Sequence, residues 1–337
     1  MRTDSRKWLP FVLVLFALSK VAYGQEASVT GTITDATGAV LPGVTVVAVH
    51  EASGNQFEGV TDGRGVYRIP VRVGTYRISA DLAGFTRVER MAVQLLVGQT
   101  VTLNMQMSPS TVQETVTVTG EAPLIETTQS TVGGNIDPLQ MTEVPVQGNQ
   151  WLALALLAPG NRTTLIGDEP VTVPREDNPA FALNLDGQQV GNTLGALNQP
   201  RYSRDTIAEF EFVSNRFDAT QGRSPAAMVN AVTKSGTNAF TGLVHGSFRD
   251  NDWGAEDHVL ERKVPFKSTQ ISGAAGGPIV RDRVHYFGNY EYNRTPLSSI
   301  ARTPYPQFNI ELSGKETIKL YGGRLDYQFS PNARLMF

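Results

Sequence analysis

The chain has 337 residues, a net charge of −3 and no cysteine. That length allows two or three domains. The near-balanced charge offers no basic field to a nucleic acid, and the missing cysteine removes disulfides, thiolate metal sites and a cysteine nucleophile.

Arg2, Arg6 and Lys7 precede an apolar run from Trp8 to Leu18, and Ala22-Tyr23-Gly24 supplies small residues where a leader would be cut. This is the pattern of a secretory signal peptide over residues 1–24, with cleavage expected between Gly24 and Gln25. The rival reading is a membrane-anchoring helix, but the run is too short for ~30 Å of hydrocarbon. No later segment reaches ~18 consecutive apolar residues. A mature protein that enters a membrane would therefore do so as a barrel.

Residues 25–107 read as an all-β sandwich, with short alternating runs between turn signals. The runs are Val29–Thr34, Gly43–His50, Val66–Ile69, Gly74–Ala80 and Thr100–Met105. Asp35-Ala36-Thr37-Gly38 turns after the first, and Asp62-Gly63 supplies residues that tolerate positive φ before the third. The phrases running from Gly31 to Val46, Thr61 to Tyr67 and Gly74 to Phe85 resemble the carboxypeptidase regulatory-like domain. The resemblance implies a seven-stranded sandwich of the transthyretin-like and carbohydrate-binding-like kind, and no peptidase activity. The four histidines, His50, His245, His258 and His285, are scattered without zinc-ligand spacing, so no metal or cofactor is expected.

Ser108-Pro109-Ser110 ends the sandwich, and residues 108–122 form a linker. Within it Glu114, Thr115, Val116, Thr117, Val118 and Thr119 alternate polar and apolar. By pattern alone this is an extended connector. By position it resembles a TonB box, the segment that pairs with an edge strand of the energy-coupling protein TonB. Strand addition needs free backbone N–H and C=O groups and no proline, and this stretch meets both conditions.

Residues 123–237 mix elements and suggest an α+β unit. Trp151–Ala158 has the length of a two-turn buried helix stopped by Pro159-Gly160; Phe181–Gly187, Ile207–Val213 and Ala226–Thr233 read as strands. The stretches 144–160 and 207–242 resemble the plug of TonB-dependent outer-membrane receptors of the Oar-like type. The first departs from that family's usual Leu-Pro-Leu-Asn-Gly-Arg-Asn phrase, having Val-Pro-Val-Gln-Gly-Asn-Gln.

After residue 238 one strand face is apolar and aromatic and the other mostly polar. Val244 and Phe248 alternate with His245 and Arg249, Tyr290 and Tyr292 with Asn289 and Glu291, Leu325 and Tyr327 with Arg324 and Asp326. A half-buried soluble sheet would show the same pattern. Connection lengths favour a transmembrane barrel: a long loop Asp250–Pro265, a short turn at Val280-Arg281-Asp282, a long loop from Asn293 to about Lys315, and a tight turn at Ser330-Pro331-Asn332. Residues 276–294 resemble the early barrel of the same family. Four strands and the start of a fifth are too few to close a plugged barrel of about 22 strands. Residues 238–337 are therefore expected to be an incomplete barrel.

The resemblance implies a non-enzymatic outer-membrane receptor that takes up an unidentified ligand, carbohydrate among the candidates. Its partners would be TonB and outer-membrane lipid, with the sandwich and the TonB box in the periplasm. Two rivals stand beside it. One is a secreted β-domain binding or adhesion protein. The other is a secreted hydrolase using Asp186, Glu209 and Glu211, although Glu209 and Glu211 fall on one face of a strand and read as a solvated face. Neither G-x-S-x-G nor H-E-x-x-H occurs.

Overall fold

The computed structural model describes residues 27–110, 116–118, 132–146, 150–161, 163–166, 169–172, 181–190, 200–214, 227–256, 263, 267–301, 310–331 and 333–337. The leader and the Gly24-Gln25 junction lie outside them.

Period-two alternation builds the first unit from β1 (Ala27–Asp35), β2 (Thr45–His50), β3 (Gln56–Val60), β4 (Val66–Val71), β5 (Gly74–Asp81), β6 (Val88–Leu95), β7 (Thr100–Thr102) and β8 (Met105–Met107). One sheet has the order β4-β1-β7, with β8 also on β1; the other runs β3-β2-β5-β6 and then β9 (Val116–Val118). Val29, Ile33, Val46, Ile69, Tyr76, Ile78, Leu95 and Met105 meet between the sheets in one core. Each such side chain withdrawn from water contributes about 1.5–3 kcal/mol before chain entropy is subtracted.

The run Thr100–Met105 is not one strand. It breaks into β7 and β8, which pair parallel with successive halves of β1. The crossover passes over Gly31, where an added Cβ would lie 2.0 Å from the Leu103 carbonyl oxygen. Only glycine admits that approach. Positive φ in the turn before β4 falls at Gly65 (φ +71), not at Asp62-Gly63. Asp62 instead uses its carboxylate to accept the N–H groups of Arg64 and Val66, each at 2.9 Å.

The second unit is a five-stranded sheet in the order β10-β15-β16-β13-β14. Its strands are β10 (Val132–Ile136), β13 (Phe181–Leu185), β14 (Gln188–Gln189), β15 (Ile207–Ser214) and β16 (Ala227–Thr233), with a separate hairpin of β11 (Thr163–Ile166) and β12 (Glu169–Thr172). Helix α1 (Pro138–Glu143) was not foreseen. It is started by a capping box in which Asp137 accepts from the Gln140 N–H at 2.8 Å and Gln140 accepts from the Asp137 N–H at 3.1 Å. Trp151–Leu157 is a 3-10 helix rather than an α-helix. Gln150 gives its start no side-chain cap, and Pro159 follows its end. It nonetheless delivers the expected burial: Trp151 meets Phe210 edge-on at 5.2 Å in the core of this unit.

The third unit is an antiparallel meander, β17 (Thr241–Asp250), β18 (Lys267–Val280), β19 (Val284–Ala301), β20 (Ile310–Ser330) and β21 (Ala333–Met336), paired in sequence order. The sheet is open: no strand among the described residues closes it into a barrel. The expected long loop from Asn293 to Lys315 is corrected. β19 and β20 continue as a paired ribbon to Ala301 and Ile310, because Arg294 through Ala301 find partners in Thr317 back to Ile310. No described helix is long and apolar enough to cross a membrane, which says nothing about crossing by strands.

Candidate functional site at the meeting of three β units

The two faces of the meander differ in chemistry and in what covers them. Val244, Phe248, Tyr321 and Phe329 are exposed at 86, 58, 83 and 56%. Gln270, Ser272, His285, Asn289, Glu291, Arg324, Asp326 and Gln328 are all buried. Burial of that many polar groups is tolerable only if they are partnered. The second unit and the sandwich supply many of the partners. Ser203, ahead of β15, donates its hydroxyl to Glu291, which also accepts from Gln270 Nε2 at 3.0 Å.

Arg324 of β20 is the centre of the array. Its Nε lies 3.1 and 3.0 Å from the two carboxylate oxygens of Asp326. Its Nη1 reaches Asp186 Oδ1 at 3.1 Å, the Thr233 carbonyl at 2.9 Å and the Thr233 hydroxyl at 2.7 Å. Asp186 stands just past β13 at φ +50 and accepts from Thr233 N at 3.0 Å and from the Thr233 hydroxyl at 2.7 Å. From the sandwich, Arg72 approaches Asp326 at 3.4 Å. Alternating charges, Arg72–Asp326–Arg324–Asp186, thus tie all three units together, with side chains between 5 and 15% exposed.

Two further contacts seat the sandwich. At the turn end of the meander, Asn238 donates its N–H to Ala52 O at 2.9 Å and its side-chain amide to Asp282 at 2.6 Å. Gln328 Nε2 donates to Gln56 O at 2.8 Å, and Asn55 Nδ2 donates to Gln328 Oε1. His50 sits in this corner, 5.1 Å from the Tyr76 ring; burial first, then Arg72 and His285, lower its pKa to about 4. At the other contact, Val97 N donates to Glu209, and Asn135 Nδ2 donates to Val97 O at 2.7 Å. Gly98 lies so close to Glu211 that an added Cβ would be 2.3 Å from Oε2.

The solvated-face reading of Glu209 and Glu211 is therefore wrong: they are 2 and 9% exposed. Phe210 and Phe212 fill the core on one face of β15, and the sandwich covers the carboxylates on the other. Asp186, Glu209 and Glu211 are each bound into a separate structural contact, to Arg324 and Thr233, to Val97, and to Asn230 at 2.9 Å respectively. The structure brings no hydrolytic constellation together from them. Among the described residues no three His, Asp or Glu side chains are placed to hold a metal. Arg72, Arg324 and Asp326 were not singled out from sequence as site residues. The available signal was an Arg and an Asp two apart on the polar face of an otherwise aromatic strand.

Of the TonB-box candidates, Glu114, Thr115 and Thr119 lie outside the described residues. Val116, Thr117 and Val118 form β9, paired parallel with β6 in the register Val88↔Val116, Glu89↔Thr117 and Arg90↔Val118.

Residues 28–108 match the carboxypeptidase regulatory-like domain, and residues 232–315 match an outer membrane beta barrel domain. The TonB-dependent transporter Oar of Myxococcus xanthus is 26% identical over 292 residues, which are 80% of this chain and 27% of that protein. The chain thus spans about a quarter of the length of that relative. Among solved structures, the ferric enterobactin receptor of Pseudomonas aeruginosa is 18% identical with a TM-score of 0.44, over 61% of this chain and 31% of that one. A type II cohesin–X-dockerin complex from Acetivibrio cellulolyticus is 28% identical with a TM-score of 0.20, over 24% of this chain and 56% of that one. The chain is thus similar over most of its length to a TonB-dependent transporter, with a stretch matching a carboxypeptidase regulatory-like domain ahead of one matching an outer membrane beta barrel domain.

Proposed function

We propose that this chain serves TonB-dependent uptake through a plugged outer-membrane barrel. In this reading residues 238–337 are barrel wall, residues 123–237 are the plug, and the sandwich of residues 25–107 stands in the periplasm with Glu114–Thr119 as the TonB box. The observation that carries it is the split of the meander into an exposed aromatic face and a polar face buried against the β15–β16 sheet. A lipid-facing wall around a polar, filled lumen has that division. The rival secreted adhesion protein accounts for the sandwich but not for an exposed band of Val244, Phe248, Tyr321 and Phe329.

The chemistry of the junction suits a plug that must move. Hydrogen bonds and ion pairs at its border can be exchanged for bonds to water when a pull opens the contact, which apolar packing cannot do. The ligand is unidentified; the carbohydrate-binding-like character implied for the sandwich makes a glycan or other oligomeric nutrient the first class to test.

Val118→Pro in the full-length receptor tests the reading, because it removes a backbone donor from the box. Capture of the TonB periplasmic domain is expected to fall at least tenfold, with energised uptake lost and the amount of receptor in the outer membrane unchanged. Undiminished capture and uptake would refute the assignment of the box.

A further inference from the structure

We infer that the sandwich presents the coupling segment to TonB: β6 holds β9 extended, and the incoming strand adds to the outer edge of β9 as the next strand of the same sheet. This rests on the reading of Glu114–Thr119 as the TonB box and adds the surface on which it works. β9 is the last strand in the order β3-β2-β5-β6-β9, and no described strand pairs with its far side. A strand's backbone groups alternate between its two edges, so pairing with β6 leaves the outer edge's donors and acceptors without a strand partner among the described residues. An acceptor already extended spares the partner the entropy of ordering it.

Among the described residues, β9 pairs with Val88, Glu89 and Arg90. Immediately beyond, Met91 and Ala92 bulge out of the β5–β6 ladder, whose register shifts between Tyr76 and Ile78, with Ala92 at φ +56. A bulge bends the strand and ends regular pairing. The emerging chain is guided to this edge by Ser110 N donating to Gly84 O at 2.9 Å and Thr86 N donating to Ser108 O at 2.8 Å.

The chain has no cysteine, so an engineered pair would be unique within it. Glu89 and Thr117 are register partners, and directly opposed strand residues fall within the Cα separation of about 4.4–6.8 Å that a disulfide spans. In the full-length receptor, Glu89→Cys with Thr117→Cys should cross-link on mild oxidation. Glu58→Cys with Thr117→Cys should not, since β3 is the opposite edge of the sheet, roughly 19 Å away at the usual strand spacing. The oxidised 89–117 protein should bind the purified TonB periplasmic domain with a Kd no more than threefold above that of its reduced form.

A tenfold loss on oxidation would overturn the inference, because TonB would then have to peel β9 from β6. Failure of the 89–117 pair to cross-link would overturn it too. The underlying assignment is separated by Val118→Pro. Loss of capture in that variant together with no cross-link sinks only the presentation surface; unchanged capture together with a cross-link sinks the TonB box itself and this inference with it.

Discussion

Replacing Arg324 with methionine keeps most of the side chain's bulk and removes its charge from the junction. Asp186 would then keep its two bonds from Thr233, and Asp326 would keep Arg72 at 3.4 Å and the nearby charge of Arg334. Removing one partner of a buried pair costs roughly 3–5 kcal/mol, mostly through the stranded charge. The surviving partners here place the expected cost near the lower end, about 3 kcal/mol. At about 1.4 kcal/mol per factor of ten, contact between the second unit's sheet and the meander should open on the order of a hundredfold more often. Amide exchange at Thr233 reports that opening, because its N–H is bonded to Asp186 at the junction itself. Exchange at Thr233 in the detergent-solubilised protein should accelerate on the order of a hundredfold, while that of β1 and β5, inside the sandwich, stays unchanged. Adding Asp186→Asn, which still accepts from Thr233 but carries no charge, should recover much of the loss. Arg324→Lys should fall between, since a single ammonium cannot serve Asp326, Asp186 and Thr233 in one fork geometry. Exchange in Arg324→Met within threefold of the parent would refute the view that this array clasps the β13–β16 sheet to the meander.

Three other outcomes are expected. His50 has an unfolded pKa near 6.5 and a folded one of about 4, so the unfolded state takes up the proton first as pH falls. Its contribution is complete above pH 6.5 and declines toward pH 4, by about 3 kcal/mol at most; urea unfolding from pH 7 to 4.5 should show the decline, and His50→Asn should flatten it. Gly31→Ala should destabilise the sandwich by about 1–3 kcal/mol through forced displacement of the Leu103 backbone, read as a Tm lower by several degrees; an unchanged Tm would contradict the close crossing. Mass spectrometry of the exported protein should find Gln25 as its first residue, and a retained Met1–Gly24 would refute the leader.

Local pattern carried the reading far where each strand's partner surface is implied by its own alternation. The sandwich core, the positions of β13, β15 and β16, and the two faces of the meander follow from period-two burial, which needs no knowledge of what lies opposite. It failed where geometry depends on a second chain segment. Thr100–Met105 reads as one strand because nothing local shows that Gly31 forces its partner to cross over. The 293–315 stretch reads as a loop because polar residues and Pro296, Pro304 and Pro306 break its alternation. Paired as β19 and β20, residues 294–301 and 310–317 satisfy one another's backbone, whatever their side chains. Helix α1 is short, and Asp137 with Gln140 three residues later is the sequence signature of its capping box.

The junction was illegible for a deeper reason. Its partners are 112 positions apart for Val97 and Glu209, 138 for Arg324 and Asp186, and 273 for Asn55 and Gln328. A carboxylate facing water and one facing a second domain produce the same alternation in β15. With Phe210 and Phe212 committed to the core of the second unit, the glutamate face can be buried only by a further layer. The sandwich is that layer, and it brings backbone N–H groups rather than apolar side chains to meet the charges. Such a contact favours states that are fully made or fully open, because a half-satisfied buried polar network is worse than either. A link of that kind opens at a threshold rather than by a gradual slide, and Arg324, Asp186 and Glu209 are the groups that set it.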